Sequence, residues 1–159
     1  LKELESQLRK FFVDESFSEV SNNPMDSNGE IRSGMIPSIV VSLGKSDRVF
    51  EIGNIFRACR GEANPSEKSC LGVGISDESK SSRELHNELT SVLKDALLLI
   101  GLDVHFDISK EGRYPYLVSE FDTIVKVGDK VLGPLGIVKD KNIVACSLII
   151  NFIAELVTS

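Results

Sequence analysis

One long amphipathic stretch, Ser79 to Ile100, sits among strand-like segments that no further helix separates, and this constrains the fold more than anything else in the chain. Leu85, Leu89, Val92, Leu93, Ala96, Leu97 and Ile100 recur at three- and four-residue spacing, which is a helix with one buried stripe. Ser81 with Glu84 supplies a capping box at its start, and Gly101 is a stop signal at its end. Everything after it reads as strand: VHFDI, FDTIVKV, KVLGPLGIV and NIVACSLII, with Gly128-Asp129 as a hairpin turn. A short helix over Asn151 to Val157 follows.

Before the long helix, Arg48 to Arg57 and SCLGVGIS read as strands, and the polar connection CRGEANPSEK makes them an antiparallel pair. Leu1, Leu4, Leu8, Phe11 and Phe12 predict a first helix ending near Asp14, and SNNPMDSNGE is a loop. Ile31, Met35, Ile36, Ile39, Val40 and Leu43 restore helical spacing, with Pro37 predicting a late start or a kink. Helices and strands are segregated rather than alternating. The expectation is a single α+β domain over residues 1–159, a mainly antiparallel sheet flanked by helices.

Composition narrows the function classes. With 42% hydrophobic and 26% charged residues, the chain is neither disordered, collagen-like nor a disulfide scaffold. Eighteen Lys and Arg stand against 24 Asp and Glu, a net charge of −6. Nucleic-acid affinity is mostly phosphate neutralisation, so DNA is not an expected partner and tRNA only an indirect one. Cys59, Cys70 and Cys146 are widely spaced and form no CxxC, which predicts reduced thiols, no metal and a cytoplasmic location. The longest apolar run, Ile143 to Ile153, is broken by Ser147 and Asn151 and reads as core, so no membrane is expected.

No nucleophile elbow or phosphate-binding loop is present. His86 is expected to be a partly exposed polar residue of its helix, and His105 a sheet-face residue. Asp122, Asp129 and Asp140 fall at strand starts and turns, where structural duty is commoner. The segment DRVFEIGNIFRACRGE is different. Arg57 stands where a strand releases into a polar loop carrying Arg60 and Glu62. An arginine there serves either as an ion-pair partner or as a bidentate phosphate ligand.

That segment resembles the second signature motif of class II aminoacyl-tRNA synthetases, two antiparallel strands whose arginine binds the α-phosphate of ATP and the aminoacyl carboxylate. The order of further pieces is similar to the β subunit of phenylalanyl-tRNA synthetase. These pieces are FSEV, NNPM, IRSGMIPSIV in the place of an arginine-threonine-serine-leucine-leucine-proline run, HNELTSVLKDALLLIGLDVHF, and EGRYPYLV with TIVKVGDKVLGPLGIVKDKNI. The resemblance implies a relic ligand pocket at Glu51, Gly53, Phe56 and Arg57. It also implies an interface at Asn23, Pro24, Arg32, Ile36, Ile39 and Val40. The bland alternative for that interface stripe is the domain's own core.

The departures bear on chemistry. Cys59 stands where the catalytic family has glutamate. The third signature, a glycine-rich strand running into a helix with Glu-Arg, has no counterpart, since Gly133-Pro-Leu-Gly136 is followed by Ile-Val-Lys. Ile137 replaces the glutamate expected after that pair of glycines, and a strand and connection usual in the family are missing between Val20 and Asn23. Each lost charged contact removes about 1.5–3 kcal/mol of nucleotide affinity.

The resemblance therefore implies a core without catalytic residues of its own, stand-alone or excised. It would support phenylalanine–tRNA ligation by assembling with a catalytic α-type subunit or with itself, and ATP and Mg would belong to the α subunit. The alternative is a paralogue that binds an amino acid, ATP or an aminoacyl adenylate as sensor or ligase, with Arg57 and Glu51 as working groups. A tRNA-contacting accessory domain is a third reading, which the acidic charge opposes.

Overall fold

The computed structural model describes residues 1–25, 32–44, 46–57, 66–109 and 112–158, with the backbone alone at Arg57. In chain order the elements are α1 (Lys2–Asp14), β1 (Ser18–Glu19), α2 (Ile36–Ser42), β2 (Arg48–Arg57), β3 (Ser66–Ser76), α3 (Ser82–Leu99), β4 (His105–Ile108), β5 (Thr123–Val127), β6 (Lys130–Ile137), β7 (Ile143–Ile149) and α4 (Ile150–Thr158). The strands form one sheet in the order β1-β2-β3-β7-β6-β5-β4. Every neighbouring pair is antiparallel except β1 with β2.

The expected mixed α+β architecture, a multi-stranded sheet flanked by helices, is what the chain adopts. α3 begins with the capping box: the Ser81 hydroxyl accepts from the Glu84 backbone N–H, and the Glu84 carboxylate accepts from the Ser81 N–H. Gly128 turns β5 into β6 at a φ of +57°, the left-handed conformation a two-residue hairpin needs at its first position. Pro37 produces the late start: it lies in the first turn of α2, where its missing N–H has no helical acceptor to lose. Ile31, the first residue of that predicted pattern, lies outside the described residues.

β1 was not anticipated. Ser18 and Glu19 pair in parallel with Val49 and Phe50, and the chain then continues along the outer edge of β2. Val20 donates to the Phe50 carbonyl, and further on the Phe56 N–H donates to the Arg32 carbonyl. The edge of β2 is thus covered in pieces rather than by a long strand.

Alternation divides the sheet into two unlike faces. Phe50, Leu71, Val73, Leu135, Val144, Cys146 and Leu148 point to the side covered by α1, α3 and α4, where they meet Leu8, Phe12, Leu85, Leu89, Leu93 and Ile153 in one buried cluster. Val49, Ile55, Cys70, Ala145 and Ile149 point the other way, toward Met35, Ile36, Ile39 and Leu43 of the α2 segment and toward Leu117. β7, central and covered on both sides, is apolar along its length apart from Ser147. α2 sits close because β3 offers bare backbone beneath it. A Cβ on Gly72 would lie 2.8 Å from Ile39 and Met35 atoms, and one on Gly74 would lie 2.4 Å from Ile39 Cγ2.

His86 departs from expectation. It is buried rather than partly exposed, packed against the Phe121 ring, with Nε2 2.8 Å from Thr123 Oγ1. The Thr123 hydroxyl donates to the Phe121 carbonyl, so the ring nitrogen is the donor to Oγ1. Burial, with Arg83 adding to it, pushes the imidazole below its ordinary 6.5 and keeps it neutral. Asp122 does have structural duty. It is buried and receives Arg113 through Nε at 3.1 Å and Nη2 at 2.6 Å, and this fork holds the carboxyl below its ordinary value. His105 is exposed on the edge strand β4.

Candidate functional site

The second face, the one carrying α2, is only partly filled. Between the segment leading into α2, the loop before β5 and the middle of the sheet lies a cavity of about 630 Å³. Asn23, Pro24, Arg32, Ser33, Met35 and Ile36 line one side, Tyr114 and Tyr116 another, and Ile55, Ser147 and Ile149 the sheet. The two tyrosine rings pack on each other at 5.7 Å. Burial and the neighbouring Tyr114 push the Tyr116 hydroxyl above its ordinary 10.0, so it stays a neutral phenol at physiological pH.

Polar side chains fix the frame of this cavity. The Ser147 hydroxyl, reaching out from β7, accepts the Met35 N–H at 3.0 Å and lies 3.2 Å from Cys70 Sγ. That bond sets the entry to α2 over the sheet. Glu51, buried on β2, is the centre of a second network. Its Oε2 accepts from Asn22 N at 3.0 Å and from Arg32 Nη2 at 3.1 Å, and its Oε1 accepts from Asn22 Nδ2 at 2.9 Å. The other edges of the Arg32 guanidinium donate to the Asn54 carbonyl at 2.8 Å and to Ser38 Oγ at 3.3 Å. Gly53 gives this guanidinium its place, since a Cβ there would stand 2.5 Å from Nη2. Side-chain exposure of 10% for Arg32 and 2% for Glu51 makes this a buried ion pair.

The residues anticipated as one ligand pocket are thereby sorted. Glu51 is not a free working group, because both its oxygens are occupied by Asn22 and Arg32. Gly53 is the seat of the guanidinium. Phe56 follows the alternation of Phe50 and Ile52 and points away from the cavity. Arg57 ends β2 opposite Ser66, and its side chain lies outside the described residues, as do Cys59, Arg60 and Glu62.

The residues anticipated as an interface are sorted too. Ile36 and Ile39 are buried in the chain's own core against β3 and β7, because bare glycine backbone lets α2 sit flush on the sheet. Val40 is half-buried, and Asn23, Pro24 and Arg32 line the cavity instead. Val41, on the outer side of α2, is 77% exposed.

Tyr114, Tyr116 and Ser147 were not singled out for this site. The signals were available: the chain has only two tyrosines, they flank one proline, and Ser147 interrupts an otherwise apolar strand. Their meeting depends on β7 pairing with β3 and on the bridge between Leu117 and Val138, which no local pattern announces.

β6, which carries Gly133 and Gly136, is followed by a turn, whereas β7 runs directly into α4. α4 begins Ile150-Asn151-Phe152 and holds no arginine. Asn151 Oδ1 instead accepts the Ser69 N–H at 2.7 Å, and Lys130 Nζ lies 3.7 Å above the Phe152 ring.

No family model and no curated protein matches the chain. Among solved structures it is similar to two of pyrrolysyl-tRNA synthetase from Desulfitobacterium hafniense. One, PylSc, superposes with a TM-score of 0.71 at 17% identity, covering 97% of this chain and 67% of that one. The other gives 0.68 at 13% identity, covering 97% and 68%. The likeness does not single out the phenylalanyl β type. A sheet of opposed strands carrying a covered helical face and a hollow second face, superposed at this level, has the class II aminoacyl-tRNA synthetase-like fold.

Proposed function

We propose that this domain binds an amino acid in the cavity between the α2 segment and the sheet, acting as a sensor or carrier rather than activating its ligand. The observation that carries this reading is the cavity itself: about 630 Å³, walled by Tyr114, Tyr116, Met35, Ile55 and Ile149, on the hollow face of a class II-like sheet. Apolar and aromatic walls with a few polar groups are what a small-molecule site requires. The pairing of Arg32 with Glu51 leaves no uncommitted cation among the described lining residues, which disfavours a triphosphate. Isothermal calorimetry with phenylalanine and with pyrrolysine, the amino acid named by the similar synthetases, tests the reading. Saturable binding of either, weakened at least tenfold by Tyr116→Ala, supports it. Silence with both would sink it, and amino-acid-dependent pyrophosphate exchange by the purified chain would make it a ligase instead.

A second reading, assembly with a catalytic α-type subunit or with another copy, draws on Val41, which stands exposed on the outer side of α2. Sedimentation of wild type against Val41→Asp, alone and with an α-type chain, separates the two readings.

A further inference from the structure

We infer that Glu51 sets the charge selectivity of the cavity: by holding Arg32 in a buried ion pair, it makes the site disfavour net-anionic ligands and accept net-neutral ones. This rests on the cavity being a ligand site, and it names what kind of ligand the site takes. Among the described lining residues Arg32 is the single charged side chain. Its guanidinium is held on three sides, by the Asn54 carbonyl, Ser38 Oγ and Glu51 Oε2, and only the last partner carries charge. Glu51 lies behind it rather than in the lining, fixed by both nitrogens of Asn22. An entering carboxylate or phosphate thus meets an arginine whose charge is already cancelled from behind. Gly53 keeps the guanidinium flat against β2, so a ligand cannot draw it forward without breaking all three bonds.

A zwitterionic amino acid, neutral overall, is not repelled by such a site. A nucleotide or a free phosphate gains nothing from it. An unpaired guanidinium forms charge-assisted bonds to phosphate, so releasing Arg32 should be visible as new anion affinity.

The test is calorimetry with inorganic pyrophosphate and, in parallel, phenylalanine and pyrrolysine, on wild type, Glu51→Gln, and the double variant Arg32→Met with Glu51→Gln. Wild type should show no saturable pyrophosphate binding. Glu51→Gln should gain about ten- to a hundredfold in pyrophosphate affinity, since a hydrogen bond to a charged group is worth that much. Added salt should reverse the gain, and the double variant should lose it. Circular dichroism first establishes that each variant folds. Should Glu51→Gln fail to fold, Glu51→Asp, which draws the carboxylate back by one methylene, is the second variant and should gain severalfold. Equal pyrophosphate binding by wild type and a folded Glu51 variant, or a gain that persists without Arg32, would overturn the inference. Failure of wild type to bind either amino acid, with the pyrophosphate gain intact, would sink the proposed function and leave the role of Glu51 standing.

Discussion

The two faces of this sheet are covered by opposite means. On one, three helices press large aliphatic and aromatic side chains onto Phe50, Leu71, Val73 and Leu148, and the contact is mainly apolar, with polar bonds such as His86 to Thr123 at its margin. On the other, a seven-residue helix rests on the bare backbone of Gly72 and Gly74, and a buried network around Glu51 fastens the segment leading into it. The same strands serve both, because alternation sends neighbouring residues to opposite sides. The lesson is that a filled face holds the fold together through volume, whereas a face that keeps a hollow must be held by directed bonds. A short helix over an incomplete layer buries too little apolar area to be fixed by that alone.

Each half of this contrast can be broken by mutation. The largest effect is expected from Glu51→Ala, which leaves the Arg32 guanidinium buried without its counter-charge. Loss of one partner of a buried pair costs about 3–5 kcal/mol. Urea unfolding should show it, with the double change Arg32→Met and Glu51→Gln recovering most of the loss. A cost below about 1 kcal/mol would mean that the second face does not depend on this network, since that is the scale of an exposed pair.

On the filled face, Leu89→Ala removes a fully buried side chain of α3 and should cost about 3 kcal/mol in the same measurement, through lost burial and the cavity left behind. Gly74→Ala tests the close seat of α2. Its added methyl would stand 2.4 Å from Ile39 Cγ2 and 3.0 Å from Leu43 Cδ1, and forcing such a core apart costs about 1–3 kcal/mol. A neutral outcome would show that α2 can lift from the sheet without penalty.

The smallest effect depends on pH. Burial holds His86 neutral in the folded chain, below its ordinary 6.5, so the unfolded chain takes up the proton first as pH falls. The stability this contributes is complete above about pH 6.5 and is lost as pH drops toward the folded value. Replacing His86 with Leu should flatten that decline, and the Thr123 hydroxyl remains satisfied by the Phe121 carbonyl. Asp122 gives a separate signature in both proteins. Its folded value lies below the ordinary 3.8, so the Arg113 contribution persists above that and disappears as pH falls through the depressed value. Urea midpoints followed from pH 7 to well below 3.8 would resolve the two steps. Wild type and His86→Leu following one curve down to pH 5 would show that His86 is not held neutral.

The fold was largely legible because its cues are local. The stripe from Leu85 to Leu97, the Ser81–Glu84 box, the Gly128-Asp129 turn and the position of Pro37 each depend on residues within a turn or two of one another. The burial of His86 was not legible: a histidine between Leu85 and Asn87 reads as polar until Thr123 at the start of β5 and Phe121 just before it are brought against α3.

By itself, the sequence determined the kinds of elements, their order, and the segregation that makes the sheet mainly antiparallel. Only the tertiary structure decided what the distinctive residues do. It placed Ile36 and Ile39 in the core, turned Phe56 away from the cavity, and spent Glu51 on Arg32. It also brought Tyr114, Tyr116 and Ser147 to one cavity. The physical reason is range. Periodicity and capping act over a few residues along the chain, while an ion pair between positions 32 and 51, or a hydroxyl at 147 receiving the N–H of residue 35, exists only once distant strands have found their register.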